Sequence, residues 1–308
     1  MKILVTSTSF ASVQGKHIDL LESMRFELTY AQGPIIAERL IDIIGDFDGI
    51  IAGDDEYTSA VLERGKQGRL KAIAKYGNGL DSFDLVTAKD LGILVQNCGG
   101  GNGSTVAEHV FALLLSHLKN IVNNSIDSRN GKWNRPINTS LKGKKIGVIG
   151  AGSVGIRVIE LAQSFGCEVF YYDLNELDKE INYAVRCNTL KDIFMVSDII
   201  SLHLPLNTNT KQLINARLFN YSQNLILINT ARGGIVNEED LVAALNSNKV
   251  QVYLTDVLHK EPLDSSSIIF GRKDVVITSH CGSRTVENIE EQGIEAVQNL
   301  KRMLLNEK

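Results

Sequence analysis

The stretch KKIGVIGAGSVGIRVIELAQSFGCEVFYYD, residues 144–173, decides the fold. It opens on a short aliphatic run, passes through three glycines spaced G-x-G-x-x-G and continues with apolar residues at helical period. It closes on a second apolar run that ends in an acid. Strand, tight turn, helix and strand in that order make one parallel βαβ unit. Each glycine has its own physical reason. Gly150 permits the turn, Gly152 lets backbone amides approach a pyrophosphate, and Gly155 allows the helix to lie close on the sheet. The helix N-terminus meanwhile turns its positive dipole toward the phosphates. Asp173, closing the second strand, is placed to accept from ribose hydroxyls and to repel a 2′-phosphate. The stretch therefore predicts a dinucleotide site that favours NAD over NADP.

Outward from this unit, short Val- and Ile-rich runs alternate with helical patterns over the whole chain. KILVT (2–6), FELTY (26–30), GIIAG (49–53), LKAIAKYG (70–77) and ILVQNC (93–98) read as one series of strands. KKIGVIG (144–150), EVFYYD (168–173), IISLHLP (199–205), LILINT (225–230), QVYLTD (251–256) and VVITS (275–279) read as a second. Strands separated by helices imply right-handed crossovers and mostly parallel sheets. The expected fold is α/β with two doubly wound domains. Between the two series a glycine-rich entry near 98–104 reads as a hinge, followed by a long apolar helix from about Ser104 to Leu118. A last helical pattern near 284–305 has no strand after it, so it is expected to return to the first domain. The second domain is then an insertion, with 1–98 plus 286–308 forming one domain and 99–285 the other.

Composition bounds the chemistry. The 308 residues are 44% hydrophobic with a net charge of −4 and no long block of one sign, which offers no nucleic-acid footprint and no membrane-surface patch. No apolar run reaches the length of a membrane span, and the start MKILVTSTSF is too polar for a secretory h-region, so a cytoplasmic protein is expected. The four cysteines form no C-x-x-C and no metal spacing with histidine, which argues against a disulfide frame and against a metal site.

Ligands of open parallel sheets bind beyond the carboxyl ends of the strands. In the second series those ends carry Arg232 in NTARGG, Glu261 in TDVLHKEPL and His280 in TSHCGS. Arg232 follows a buried strand among small residues, where a long cation belongs if it meets an anion, and its fork suits a carboxylate. His280 is the histidine best placed for proton transfer near neutral pH. Its neighbour Cys281 raises the alternative of a thiol enzyme, but adjacent residues leaving a strand point to opposite faces and meet poorly as nucleophile and base.

The segments LKGKKIGVIGAGSVG, YYD, LHLPLNTNTK, INTARGGIVNEEDLVAAL, DVLHKEPL and TSHCGS, in this order, resemble the D-isomer-specific 2-hydroxyacid dehydrogenases, and YGNGLDSFDL and GSTVAEH extend the likeness over nearly the whole chain. The nearest members are similar to phosphoglycerate dehydrogenase without its C-terminal regulatory domain. The resemblance implies a flavodoxin-like substrate domain, an inserted Rossmann NAD-binding domain and a small 2-hydroxy or 2-oxo acid as substrate, with 3-phosphoglycerate among the candidates. It also implies a homodimer joined through the NAD-binding domain near 104–136. His280 would move the hydroxyl proton, Glu261 would fix its tautomer and favour its charged form, and Arg232 would bind the substrate carboxylate. Backbone amides at Asn78 and Gly79 would hold the same carboxylate. Ser153, Val154, Thr230, Ala231 and Asp256 would complete the cofactor cradle, with Pro205 limiting the adenine side, Cys281 forming a wall of the nicotinamide pocket, and closure at hinges near 98–104 and 282–287. Ser279 stands where the family has proline before the histidine, the segment NCGGGN (97–102) lacks a common proline, and Asn78 replaces a small or β-branched residue. A nucleotide-sensing corepressor with little turnover shares the same trio and is the alternative reading.

Overall fold

The computed structural model describes residues 1–99, 101, 103–175, 181 and 183–305. Two compact units result, Met1–Gly101 with Arg284–Lys308 and Asn102–Ser283. Of the expected entry hinge, Gly100 and Asn102 lie outside the described residues.

In the first unit five strands, β1 (Lys2–Val5), β2 (Glu27–Tyr30), β3 (Gly49–Ala52), β4 (Ala72–Lys75) and β5 (Leu94–Asn97), form a wholly parallel sheet in the order β2-β1-β3-β4-β5. β3 and β4 are buried along their full length, as continuous apolar runs demand when helices cover both faces of a parallel sheet. One face carries a core built on Leu4, Ile50, Ile73 and Leu62; the other is built on Ile3, Val5, Ile51 and Ala74. The helix Val286–Leu305 lays Ala296, Val297 and Leu300 into this second core beside Ile3 and Val5 of β1.

The second unit holds seven parallel strands: β6 (Lys145–Ile149), β7 (Glu168–Tyr172), β8 (Val185–Arg186), β9 (Ile199–Leu202), β10 (Leu225–Asn229), β11 (Val250–Thr255) and β12 (Val275–Ile277). Their order is β12-β11-β10-β9-β6-β7-β8. The order reverses direction between β6 and β9, which is the switch point where such sheets bind ligands. Because all strands run one way, the carboxyl ends of β6, β9, β10, β11 and β12 share one edge. β8 has two residues and no apolar run to announce it. The helix Gly103–Leu118 buries Val106, Val110, Phe111 and Leu114, whereas the following helix Ile121–Arg129 buries none of its residues. Among the described residues no helix is long and apolar enough to cross a membrane.

Candidate active site

The glycines after β6 do what their spacing demands. Gly150 sits at φ +90, and a Cβ there would lie 2.3 Å from the His203 carbonyl oxygen. A Cβ on Gly155 would lie 2.0 Å from the Gly150 carbonyl oxygen, so any side chain would push the helix Ser153–Ser164 off the strand. Gly152 has no neighbour within 4 Å on its Cβ side, which leaves its backbone open at the mouth of that helix. Ser153 is exposed and Val154 half-buried beside it. Asp173 leaves β7 with Oδ2 accepting from the Ala151 amide at 2.8 Å and Oδ1 accepting from the Asn175 amide at 2.8 Å. The carboxylate is thereby fixed against the glycine loop. Directly after β10, Thr230 Oγ1 is buried without a hydrogen-bond partner among the described residues. An open glycine cradle at a helix N-terminus, a tethered acid and an orphaned hydroxyl together fit a dinucleotide. Pro205 is exposed beyond β9, its carbonyl accepting from Thr210 Oγ1 at 2.6 Å.

The other strand ends are brought together through backbone as much as side chain. Asn229, the last residue of β10 and fully buried, accepts from the Ala231 amide at 3.1 Å through Oδ1, and its Nδ2 donates to the Arg232 carbonyl and to Tyr253 Oη, each at 3.0 Å. This one amide shapes the turn that presents Arg232. The Arg232 side chain is half-buried, with Nη1 donating to the Ala231 carbonyl at 2.7 Å. A Cβ on Gly233 would lie 2.0 Å from the Leu258 carbonyl carbon, so the arginine turn rests directly on the loop after β11. In that loop Glu261 Oε1 accepts from the Leu258 amide at 2.9 Å, and Oε2 lies 2.8 Å from His280 Nδ1. Arg232, Glu261 and His280 thus sit on three adjacent strand ends, the last two in contact, with both side chains more than a third exposed.

Asp256 takes a different position from a residue reaching outward. It is 3% exposed and receives Thr278 Oγ1, the Cys281 amide at 3.0 Å and the Gly282 amide at 2.7 Å, with His109 Nε2 at 3.4 Å. Burial pushes this carboxyl up, but the hydrogen bonds from His109, Thr278 and the two amides outweigh burial and hold it well below the usual range. His280 itself adopts a left-handed φ of 52, and Asp256 grips the residues on either side of it. Burial and then the Asp256 charge push the Cys281 thiol up, the opposite of what a nucleophilic thiolate needs. His203, half-buried with Nε2 2.8 Å from Ser201 Oγ, is pushed down to about 3 by desolvation and is held neutral. Neither Asn229 nor His109 stood out in the sequence, because Asn229 closes an apolar run and His109 meets Thr278 across 169 residues.

In the first unit Asn78 and Gly79 lie on the loop after β4, at the carboxyl edge of its sheet. Asn97, ending β5, holds that loop through Nδ2, which donates to the Asn78 carbonyl at 2.6 Å and to Asn78 Oδ1 at 3.0 Å.

A sequence profile for "D-isomer specific 2-hydroxyacid dehydrogenase, NAD binding domain" matches residues 111–282. The hydroxypyruvate reductase of Thermotoga maritima is 33% identical over 284 residues, covering 90% of this chain and 92% of that one. The D-3-phosphoglycerate dehydrogenase of Methanocaldococcus jannaschii is 30% identical over 314 residues, covering all of this chain, which spans only 58% of that longer relative. Among solved structures, the TT0316 protein of Thermus thermophilus superposes with a TM-score of 0.89 at 31% identity, covering 100% and 98% of the two chains.

Proposed function

The chain belongs to the D-isomer-specific 2-hydroxyacid dehydrogenases and carries their NAD-binding domain, and from that premise we propose that it reduces a small 2-oxo acid to the D-2-hydroxy acid, and the reverse, with Arg232, Glu261 and His280 as its chemical groups. NAD supplies the hydride acceptor, and its reduced form the donor. The observation that carries the assignment of residues is the 2.8 Å contact between His280 Nδ1 and Glu261 Oε2, because a carboxylate on Nδ1 fixes the ring and assigns proton exchange with substrate to Nε2. In reduction His280 donates a proton to the oxo oxygen from Nε2; in oxidation the same atom takes the hydroxyl proton. Glu261, anchored by the Leu258 amide, fixes the ring and opposes the imidazolium charge. Arg232 grips the C1 carboxylate and polarises the adjacent carbonyl, a pre-organised role of several kcal/mol once water is excluded. The backbone amides at Asn78 and Gly79, on the loop after β4, are donors for a substrate carboxylate. Ser153, Val154, Thr230 and Ala231 line the cofactor. Asp256 acts one layer further in, holding the turn that carries His280. Of the candidate acids, 3-phosphohydroxypyruvate, hydroxypyruvate and glyoxylate all offer the required 2-oxo carboxylate.

Purified protein is expected to oxidise NADH with one or more of 3-phosphohydroxypyruvate, hydroxypyruvate, glyoxylate and pyruvate, and to use NADPH at least about tenfold less well, since Asp173 meets the 2′-phosphate with a negative charge. Loss of NADH absorbance under each acid reads both expectations. No oxidation with any acid overturns the enzyme assignment and favours the nucleotide-sensing alternative.

The partner on the 104–136 side is a second copy of the chain. Ile121, Val122, Ile126 and Trp133 are each more than half exposed on one short stretch, an apolar surface that a lone domain does not leave open. Sedimentation is expected to give a dimer, and Val122→Asp with Ile126→Asp a monomer; a wild-type monomer overturns this.

A further inference from the structure

We propose that Asn78 is a specificity-determining residue whose side-chain N–H groups receive an oxygen on substrate C3, so that the enzyme selects a 2-oxo acid with a C3 hydroxyl over one ending in a methyl group or a phosphate. The inference rests on the reading of the Asn78–Gly79 loop as the carboxylate holder.

The orientation of Asn78 follows from its neighbour. An amide NH₂ and its carbonyl oxygen are told apart by the partners they meet. Asn97 Nδ2 is 2.6 Å from the Asn78 main-chain carbonyl, which can only accept, so the atom there is a donor. The same Nδ2 lies 3.0 Å from the Asn78 side chain, which must therefore turn its oxygen toward Asn97. The Asn78 NH₂ then faces away, exposed and without a hydrogen-bond partner among the described residues. Asn97 cannot easily release it. Its own carbonyl accepts from the fully buried Asn299 at 3.1 Å, and it is paired in the sheet with Lys75. The Cys98 amide donates to the Gly77 carbonyl at 3.1 Å and ties the loop to β5 a second time. What the loop offers is thus a fixed pair of neutral donors.

Distance and charge select the ligand. If the loop amides hold C1, the Asn78 side chain rises from the same backbone, and C3 is only two bonds from C1. A phosphate on C3 needs a cation more than an amide. The ammonium beneath the loop, Lys75, is 4% exposed and already committed, with Nζ 2.8 Å from Asp54 Oδ1 and 2.9 Å from the Tyr76 carbonyl oxygen. A hydroxyl, which accepts from the amide and loses little water, is the group that fits.

The test compares kcat/KM for hydroxypyruvate, pyruvate and 3-phosphohydroxypyruvate in the wild type, Asn78→Leu and Asn97→Leu. The wild type is expected to prefer hydroxypyruvate over pyruvate by about tenfold or more, and Asn78→Leu, near-isosteric but without donors, to erase that preference by lowering the hydroxypyruvate value. Asn97→Leu, which frees the Asn78 head to rotate, is expected to weaken the preference less. Activity with an unchanged hydroxypyruvate-to-pyruvate ratio in both variants overturns the inference, as does a wild type that prefers pyruvate or the phosphate ester; either leaves the dehydrogenase assignment standing. A wild type inactive on all three and on glyoxylate removes that assignment, and this inference with it.

Discussion

Replacing His280 by alanine is expected to lower kcat by about 10²–10⁴-fold, the range for a positioned general acid–base group, while NADH binding read by fluorescence stays within a few-fold. The separation is the informative part. His280 is held by Glu261 on one side and by the turn around Asp256 on the other, and the glycine cradle and Asp173 that receive the dinucleotide lie on β6 and β7, strands removed from β12 in the sheet. Glu261→Gln keeps the shape of the 2.8 Å contact but removes the charge that opposes the imidazolium, so a smaller loss of kcat is expected. Cys281→Ala is the matching control, and most activity should persist because the thiol is held protonated by burial and by Asp256. If Cys281→Ala is the inactive variant and His280→Ala is not, the proton chemistry belongs elsewhere.

Arg232→Ala is expected to lower kcat/KM by about 10²-fold or more, the scale of roughly 2–5 kcal/mol for truncating one partner of a buried charge pair. Arg232→Lys should recover only part of this, because an ammonium cannot present the planar fork that grips both carboxylate oxygens. The loss should be shared by every 2-oxo acid, since all carry C1. That distinguishes Arg232 from a residue that reads the rest of the substrate, whose removal changes ratios between acids. Steady-state kinetics with two acids of different C3 substituent checks this, and a loss confined to one acid overturns the carboxylate role.

Both variants act on residues that the sequence made legible, and the reason is physical. Fully buried parallel strands such as β9 and β10 write themselves as unbroken apolar runs, so their ends can be found, and Arg232 stands out because a cation directly follows one of them. The glycine loop is legible because only glycine fits where a Cβ would come within 2.3 Å of the His203 carbonyl or 2.0 Å of the Gly150 carbonyl. What escaped were residues whose meaning depends on distant partners. Asn229 reads as one more strand residue until Tyr253 on the neighbouring strand is beside it. His109 is one histidine in an apolar helix until folding sets it against Thr278 and Asp256. Asp256 occupies the expected strand end, but whether such a carboxylate faces outward or inward is decided by amides that lie 25 and 26 residues further on. The helix Ile121–Arg129 and the two-residue β8 also have no periodic apolar signature.

The inward turn of Asp256 decides where the catalytic turn keeps its rigidity. Ser279, directly before the histidine, brings no ring to stiffen the turn, and the stiffness resides in one carboxylate that binds Thr278 before the histidine and Cys281 and Gly282 after it. Rigidity encoded this way does not depend on the identity of the residue it immobilises. The geometry of His280 is thereby uncoupled from the side chain at position 279 and rests on the buried acid and the helix histidine beside it.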